Sequence, residues 1–257
     1  MPAPKPTGQR EKTPTLALVR RKLRELADPD DARFLQRFFK TGPGEYGAGD
    51  KFLGIRVPVT RRLAGELRDL PLDDVAALLQ EPWHEARMLG LIMLANAYQR
   101  GTPAEQEGIF KLYLANTDRV NNWDLVDLSA PNIVGAHLAT RSRALLDKLA
   151  RSKILWERRI AIVATQHLIR RGEFDDTLRI ARMLLDDQHD LIHKAVGWML
   201  REVGNKDRAP LEAFLDEHAD HMPRTMLRYA IEQLSTTQRQ AYMGRGGTRL
   251  AKPRPHA

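Results

Sequence analysis

The sequence predicts an all-α protein, a curved solenoid of degenerate helical repeats, and three observations predict it. Apolar residues recur at helical spacing in segment after segment. No strand-like alternation persists anywhere. Short helices, separated by Pro, Gly or Asp breaks, pair about every 35–45 residues, the range of HEAT-type repeats, whose stacked pairs build a concave binding face.

Taken in order, residues 15–27 place Leu16, Leu18, Val19, Leu23 and Leu26 at helical spacing. Asp28-Pro29-Asp30 ends that helix and starts another, with Phe34, Leu35, Phe38 and Phe39 on its expected apolar side. Residues 41–50 form a glycine-rich loop. It lacks the G-x-x-x-x-G-K-[ST] pattern and has no preceding strand, which argues against nucleotide hydrolysis. Pro58 opens a helix through Leu63 and Leu67, Pro71 separates it from 75–79, and Pro82 precedes a long apolar helix holding Leu89, Ile92 and Leu94. Pro103 opens the next, with Ile109, Phe110 and Tyr113, and Pro131 interrupts a later run. Further helices are expected over 145–150, 154–169, 177–185, 191–203, 211–218, 226–234 and 238–243. The organisation expected is one solenoid domain over 15–243, flanked by a disordered segment at 1–14 and a basic disordered tail at 244–257.

With 257 residues the chain is long enough for a sizeable core. No apolar run approaches the roughly 18 residues that span a bilayer, and the first residues hold no apolar leader, so a cytoplasmic, nucleoid-associated protein without a membrane role is expected. Zero cysteines exclude disulfides, thiolate metal sites and cysteine nucleophiles. The net charge is +8. Residues 1–14 carry three cations against one acid, and 244–257 carry four cations and no acid, which leaves only +2 for the body. A polyanion-binding face must therefore come from clustering rather than from total charge.

Asn121-Asn122-Trp123-Asp124-Leu125-Val126-Asp127 is where chemistry is expected. On a helix starting here, Trp123 and Asp127 share one face, four residues apart, while Asp124 points elsewhere. An indole face attracts cations and a carboxylate opposes developing positive charge, so the pair suits a cationic sugar-like centre. On that stretch alone, a core tryptophan and a capping acid are the commoner reading. Lys148, Arg151, Lys153, Arg158 and Arg159 crowd a short region that holds only Asp147 and Glu157 as acids, a candidate phosphate grip or a solvated face. Trp198 sits among Val196, Met199 and Leu200, which reads as core. His189 and His193 have a metal-compatible spacing but no third ligand and no H-E-x-x-H pattern, so no metal is expected. Ser129, Ser142 and Ser152 stand in no G-x-S-x-G elbow, so serine hydrolase chemistry has no support.

Several motifs fall into one ordered set. They are Phe52-Leu53-Gly54-Ile55-Arg56-Val57-Pro58 with Arg61-Arg62-Leu63, Trp123-Asp124-x-Val126-Asp127, Trp156-x-x-Arg159, and Lys194-Ala195-x-Gly197-Trp198-x-Leu200-Arg201-Glu202. Together, over about residues 15–235, they resemble the AlkD-type DNA alkylation-repair glycosylases. The resemblance implies a HEAT-like solenoid that excises cationic alkylated purines, such as 3-methyladenine and 7-methylguanine, from double-stranded DNA. It implies two tryptophans flanking the lesion's deoxyribose, Trp123 and Trp198, with Asp127 supporting hydrolysis between them. It makes Arg159 the phosphate-holding arginine near the lesion, with Arg158 as the fallback if the register differs. The loop at 42–50 is longer and richer in glycine than the best-known branch of that family has.

The chemistry agrees with the resemblance. A purine alkylated at N3 or N7 is already cationic and leaves neutral, so one carboxylate and aromatic faces suffice where ordinary glycosidases need two carboxyl groups. A monofunctional glycosylase acting as a monomer without cofactor is expected. Arg159, Arg158, Lys148 and Arg151 would grip DNA, and Arg61 and Arg62 form a second contact region. The alternative from another class is a non-catalytic repeat scaffold that binds nucleic acid or protein.

Overall fold

The computed structural model describes residues 13–245. The expected N-terminal segment and basic tail fall almost wholly outside the described residues. Their inner ends, Thr13–Pro14 and Gly244–Arg245, lie within them, and the last helix runs on through Arg245. The regular elements of the described residues are helices, joined by turns and loops. The β feature present is an isolated bridge between Lys51 and Trp83. None of the described helices is long and apolar enough to cross a membrane.

The chain packs as two compact units, Met1–Ala97 and Tyr98–Ala257, dividing within one helix. The first holds α1 (Leu16–Glu25), α2 (Pro29–Gln36), α3 (Val57–Glu66), α4 (Leu72–Leu79) and most of α5 (His84–Arg100). Thr15 caps α1, and Asp28 caps α2 by accepting the Asp30 and Asp31 amides at 2.8 and 3.1 Å, with Pro29 in the first turn. The α1 stripe of Val19 and Leu23 packs on α4, as the spacing predicts.

Two features of this unit differ from the sequence reading. First, α2 buries no side chain. Phe34 and Phe38 lie exposed, edge to face at 5.6 Å, with the Arg37 and Arg56 guanidinium groups over the Phe34 ring. Second, the end of the glycine-rich loop goes into the core. Asp50 accepts from Arg87 at 2.5 Å and meets His84 Nδ1 at 2.9 Å, and Phe52 stacks on the same His84 while Phe39 packs on it at a tilt. Next to it the buried Glu85 carboxylate accepts the amides of Leu53, Gly54 and Ile55. Gly54 has φ +83°, and a Cβ there would lie 2.0 Å from the Asp28 carbonyl oxygen. Only glycine fits where this segment crosses the start of α2.

The second unit continues with α6 (Pro103–Leu114), α7 (Trp123–Ser129), a π-helical turn (Pro131–Gly135), α8 (Ala136–Leu138), α9 (Ala144–Ala150) and α10 (Leu155–Ala164). It ends with α11 (Gln166–Arg170), α12 (Asp175–Met183), α13 (Asp190–Lys206), α14 (Arg208–His218), α15 (Arg224–Ala230) and α16 (Thr236–Arg245). Thr102 and Glu105 close a reciprocal capping box around Pro103 at the start of α6. Pro131 does not break the chain's helical run. It widens the run into a π turn, with the Gly135 amide reaching the Ala130 carbonyl at 2.9 Å. The single helix expected over 154–169 is two, because the buried Thr165 hydroxyl donates to the Ile162 carbonyl at 2.6 Å and turns the backbone.

Helix α10 runs through the middle of this unit. Ile160 to Ala164 are all fully buried, and α7, α9, α12 and α13 pack around it. The other centre is α13 against α15. A Cβ on Gly197 would lie 2.4 Å from the Met226 carbonyl oxygen and 2.5 Å from the Tyr229 Cβ, so this glycine sets how closely the two helices approach. Val196, Met199 and Leu200 are buried as expected.

Candidate active site

Asn122 is fully buried and caps α7, its Oδ1 accepting the Trp123 amide at 2.9 Å. That cap fixes the helix phase. Leu125, Val126 and Ser129 go into the core, and the opposite stripe, Trp123, Asp124, Asp127 and Leu128, stays partly exposed. Trp123 and Asp127 thus share one outward face. Asp124 lies on that face as well, in contrast to the sequence reading. Its Oδ1 accepts the Leu125 amide at 2.9 Å, and its charge acts on Asp127.

Asp127 is held from α10. Arg159 Nε donates to its Oδ1 at 2.9 Å and Nη2 to its Oδ2 at 2.8 Å, a bidentate pair. Arg159 Nη1 donates at 2.6 Å to the carbonyl of Leu191 in the first turn of α13. One guanidinium therefore ties three helices together around one carboxylate. The pair is asymmetric: the Arg159 side chain is 6% exposed and that of Asp127 20%. Burial pushes the Asp127 carboxyl above the usual aspartate range, Arg159 opposes that rise, and the Asp124 charge adds to it. Beneath the site, the fully buried Tyr113 hydroxyl hydrogen-bonds Ser129 Oγ at 3.0 Å. Burial raises the Tyr113 phenol above its ordinary range, against the Ser129 hydrogen bond, and the Asp127 charge raises it further.

Of the two candidate arginines, Arg159 meets Asp127. Arg158 turns the other way. Its Nε donates to Asp187 Oδ2 at 2.6 Å, and Nη1 donates to the Ser152 and Lys153 carbonyls at 3.0 Å each. Asp187 also accepts the His189 amide through its side chain and the His193 ring through its backbone carbonyl, while His189 Nδ1 caps α13. These two histidines brace the start of α13, and no group of three potential metal ligands occurs among the described residues.

Trp198 is half-buried on α13, its indole N–H donating to Glu202 at 3.2 Å. It lies seven residues beyond Leu191 on the same stripe, about 10 Å along the helix. Arg159 reaches the helix that carries Trp198, and no direct hydrogen bond joins Trp198 to Asp127. Lys148, Arg151 and Lys153 are exposed, and their side chains have no partner among the described residues. Arg61 and Arg62 are exposed on α3 of the first unit.

The family model described as "DNA alkylation repair enzyme" matches residues 19–234. The chain belongs to the DNA alkylation repair enzyme family. The span of that match takes in every site residue named above, from Arg61 to Trp198. No curated protein matches the chain. Among solved structures it is similar to the "Predicted DNA alkylation repair enzyme from Enterococcus faecalis", at 18% identity with a TM-score of 0.62, covering 82% of this chain and 97% of that one. At that identity the likeness speaks for the all-α fold.

Of two further participants in the candidate site, one is not marked in the sequence and the other stands on the opposite side from the one the sequence reading gives it. Tyr113 carried no signal, since a tyrosine at a helix's apolar positions reads as core. Asp124 was legible, because residues at i, i+1, i+4 and i+5 form one stripe of a helix. The expected phosphate contact by Arg159 is not the geometry it has here, since three of its donor bonds go to Asp127 and Leu191 and the side chain is almost wholly enclosed.

Proposed function

We propose that the protein is a monofunctional DNA glycosylase that hydrolyses the N-glycosidic bond of cationic alkylated purines, such as 3-methyladenine and 7-methylguanine, in duplex DNA. The observation that carries this reading is the Asp127 carboxylate. It is partly open to solvent, fixed bidentately by the buried Arg159, and on the same helix face as Trp123.

A cationic base takes the electron pair of the C1′–N bond as that bond breaks, and leaves neutral. The sugar is left with oxocarbenium character. Asp127 opposes the charge, and the Trp123 and Trp198 faces supply cation–π stabilisation. Water then bonds to C1′ and gives its proton to Asp127 or to solvent. Arg159 is a positioning residue: it orients the carboxylate and keeps it ionised against the cost of burial. Lys148 and Arg151 contact phosphate as sequence-independent anchors, Arg61 and Arg62 form a second basic region, and Arg158 braces the start of α13.

The test is release of methylated bases from alkylated duplex DNA by the purified monomer. Free base and an intact abasic strand are expected, with undiminished release in EDTA. Loss of release in EDTA, or a borohydride-trapped protein–DNA adduct, would contradict the metal-free, monofunctional reaction. No release at all, with duplex still bound, would favour a non-catalytic scaffold.

A further inference from the structure

The first unit has a cavity of about 250 Å³ between α1 and the start of α5. Its apolar floor includes Leu23 and Leu53, both buried. One wall is the Trp83 indole, 37% exposed although Trp83 directly precedes a run of buried residues from His84 to Ala95. Its exposure does not come from a loose backbone. Trp83 bridges Lys51, the next amide donates to the Lys51 carbonyl at 2.8 Å, and the Trp83 carbonyl accepts the Arg87 amide at 3.3 Å. A rigidly carried indole facing an open cavity is preorganised to stack on a flat ring.

The rim decides the ligand's charge. Arg20 is paired with Glu81, with Nε donating at 2.7 Å. Arg24, one turn further along the same exposed stripe of α1, has no side-chain partner among the described residues. Among the described residues, two arginines and one glutamate line the rim, a net single positive charge that disfavours a cation on the indole and favours an anion beside it. The volume falls below the roughly 300 Å³ at which drug-sized pockets begin, which matches one base rather than a dinucleotide.

We propose that this cavity binds a single nucleotide, its base stacked on Trp83 and its phosphate paired with Arg24. The proposal rests on this cavity alone and not on the glycosylase reading. Its chemistry is shared by a free mononucleotide and by one nucleotide of a single strand.

The test is titration of the full chain with dAMP, with deoxyadenosine and with a short deoxyadenylate strand, followed by calorimetry and indole fluorescence. Saturable dAMP binding is expected, with deoxyadenosine weaker because it lacks the phosphate. Trp83→Leu and Arg24→Ala should each weaken dAMP about tenfold or more. Arg24 is exposed, so Arg24→Ala keeps the test valid if Trp83→Leu fails to fold, and circular dichroism checks both. Binding of the strand that is tighter than that of dAMP and is weakened by Arg24→Ala assigns the site to single-stranded DNA, and tighter binding of dAMP assigns it to a free mononucleotide. Absence of saturable binding, equal binding of dAMP and deoxyadenosine, or wild-type affinity in the folded Arg24→Ala protein would overturn the proposal.

Discussion

Asp50 in the first unit and Asp127 in the second are both aspartates gripped by an arginine, and the two grips have opposite results. The Asp50 side chain is 2% exposed. Burial works against its charge, but the hydrogen bonds and charges of His84 and Arg87 win and take its carboxyl well below 3.8, to about 2. Asp127 has one arginine, no histidine, and Asp124 on the same helix face. There burial wins and the carboxyl is raised. The carboxylate that is fully satisfied and enclosed holds a loop in place. The one that is under-compensated and partly open retains charge to offer a ligand. A buried acid–arginine pair is therefore no mark of a site by itself; residual exposure and incomplete compensation separate the two.

The largest effect expected is on stability. Asp50→Asn leaves the Arg87 charge buried and unpaired and should cost about 3–5 kcal/mol in urea unfolding, while base release per folded molecule stays as in wild type. Asp127→Asn should cost less, about 1–3 kcal/mol, because the charge it removes is under-compensated and Arg159 keeps its bond to the Leu191 carbonyl. Equal losses would erase the distinction.

Arg159→Lys comes next. An ammonium cannot reproduce the bidentate fork, so base release should fall about tenfold with little change in duplex affinity. A large loss of duplex affinity with unchanged single-turnover rate would restore Arg159 as a phosphate contact.

The two aspartates should also part along the pH axis. The folded Asp50 carboxyl is depressed, so its stabilisation is present above the ordinary aspartate range and is lost as pH falls toward about 2. The folded Asp127 carboxyl is raised, so folding favours its protonated form and its ionisation costs stability as pH rises through that shifted range. The proposed reaction needs the ionised form, so the acid limb of base release should lie above the ordinary aspartate range and move higher in Arg159→Lys. A limb at or below that range would show that Asp127 is not the titrating group.

The smallest effect belongs to the exposed cations at the end of α9. Lys148→Ala and Arg151→Ala should each shallow the log–log salt dependence of duplex binding by about 0.9, with the single-turnover rate unchanged. An unchanged slope in both would place the DNA grip elsewhere.

Much of this contrast was legible in the chain. Trp123 and Asp127 four apart, an asparagine just before them, and Pro58 and Pro103 in first turns all write helix phase directly into sequence. The partner of Asp127 was not fixed by pattern, since Arg158 and Arg159 are adjacent and only the packing of α10 chose between them. Arg159 sits in an apolar run and reads equally as a surface cation or a buried one. The role of Asp50 was hidden because its partners, His84 and Arg87, are more than thirty residues away. The π turn at Pro131 was read as an interruption because proline statistics describe lost amides and not the wider turn that tolerates them.

The central claim is that Asp127, and not merely some buried acid, carries the reaction. Single-turnover release of 7-methylguanine from methylated duplex should be compared for wild type, Asp127→Asn and Asp50→Asn, each corrected for its folded fraction. Asp127→Asn should lose about 2–4 kcal/mol of transition-state stabilisation at nearly unchanged duplex affinity, while Asp50→Asn matches wild type. Wild-type release by Asp127→Asn would contradict the account.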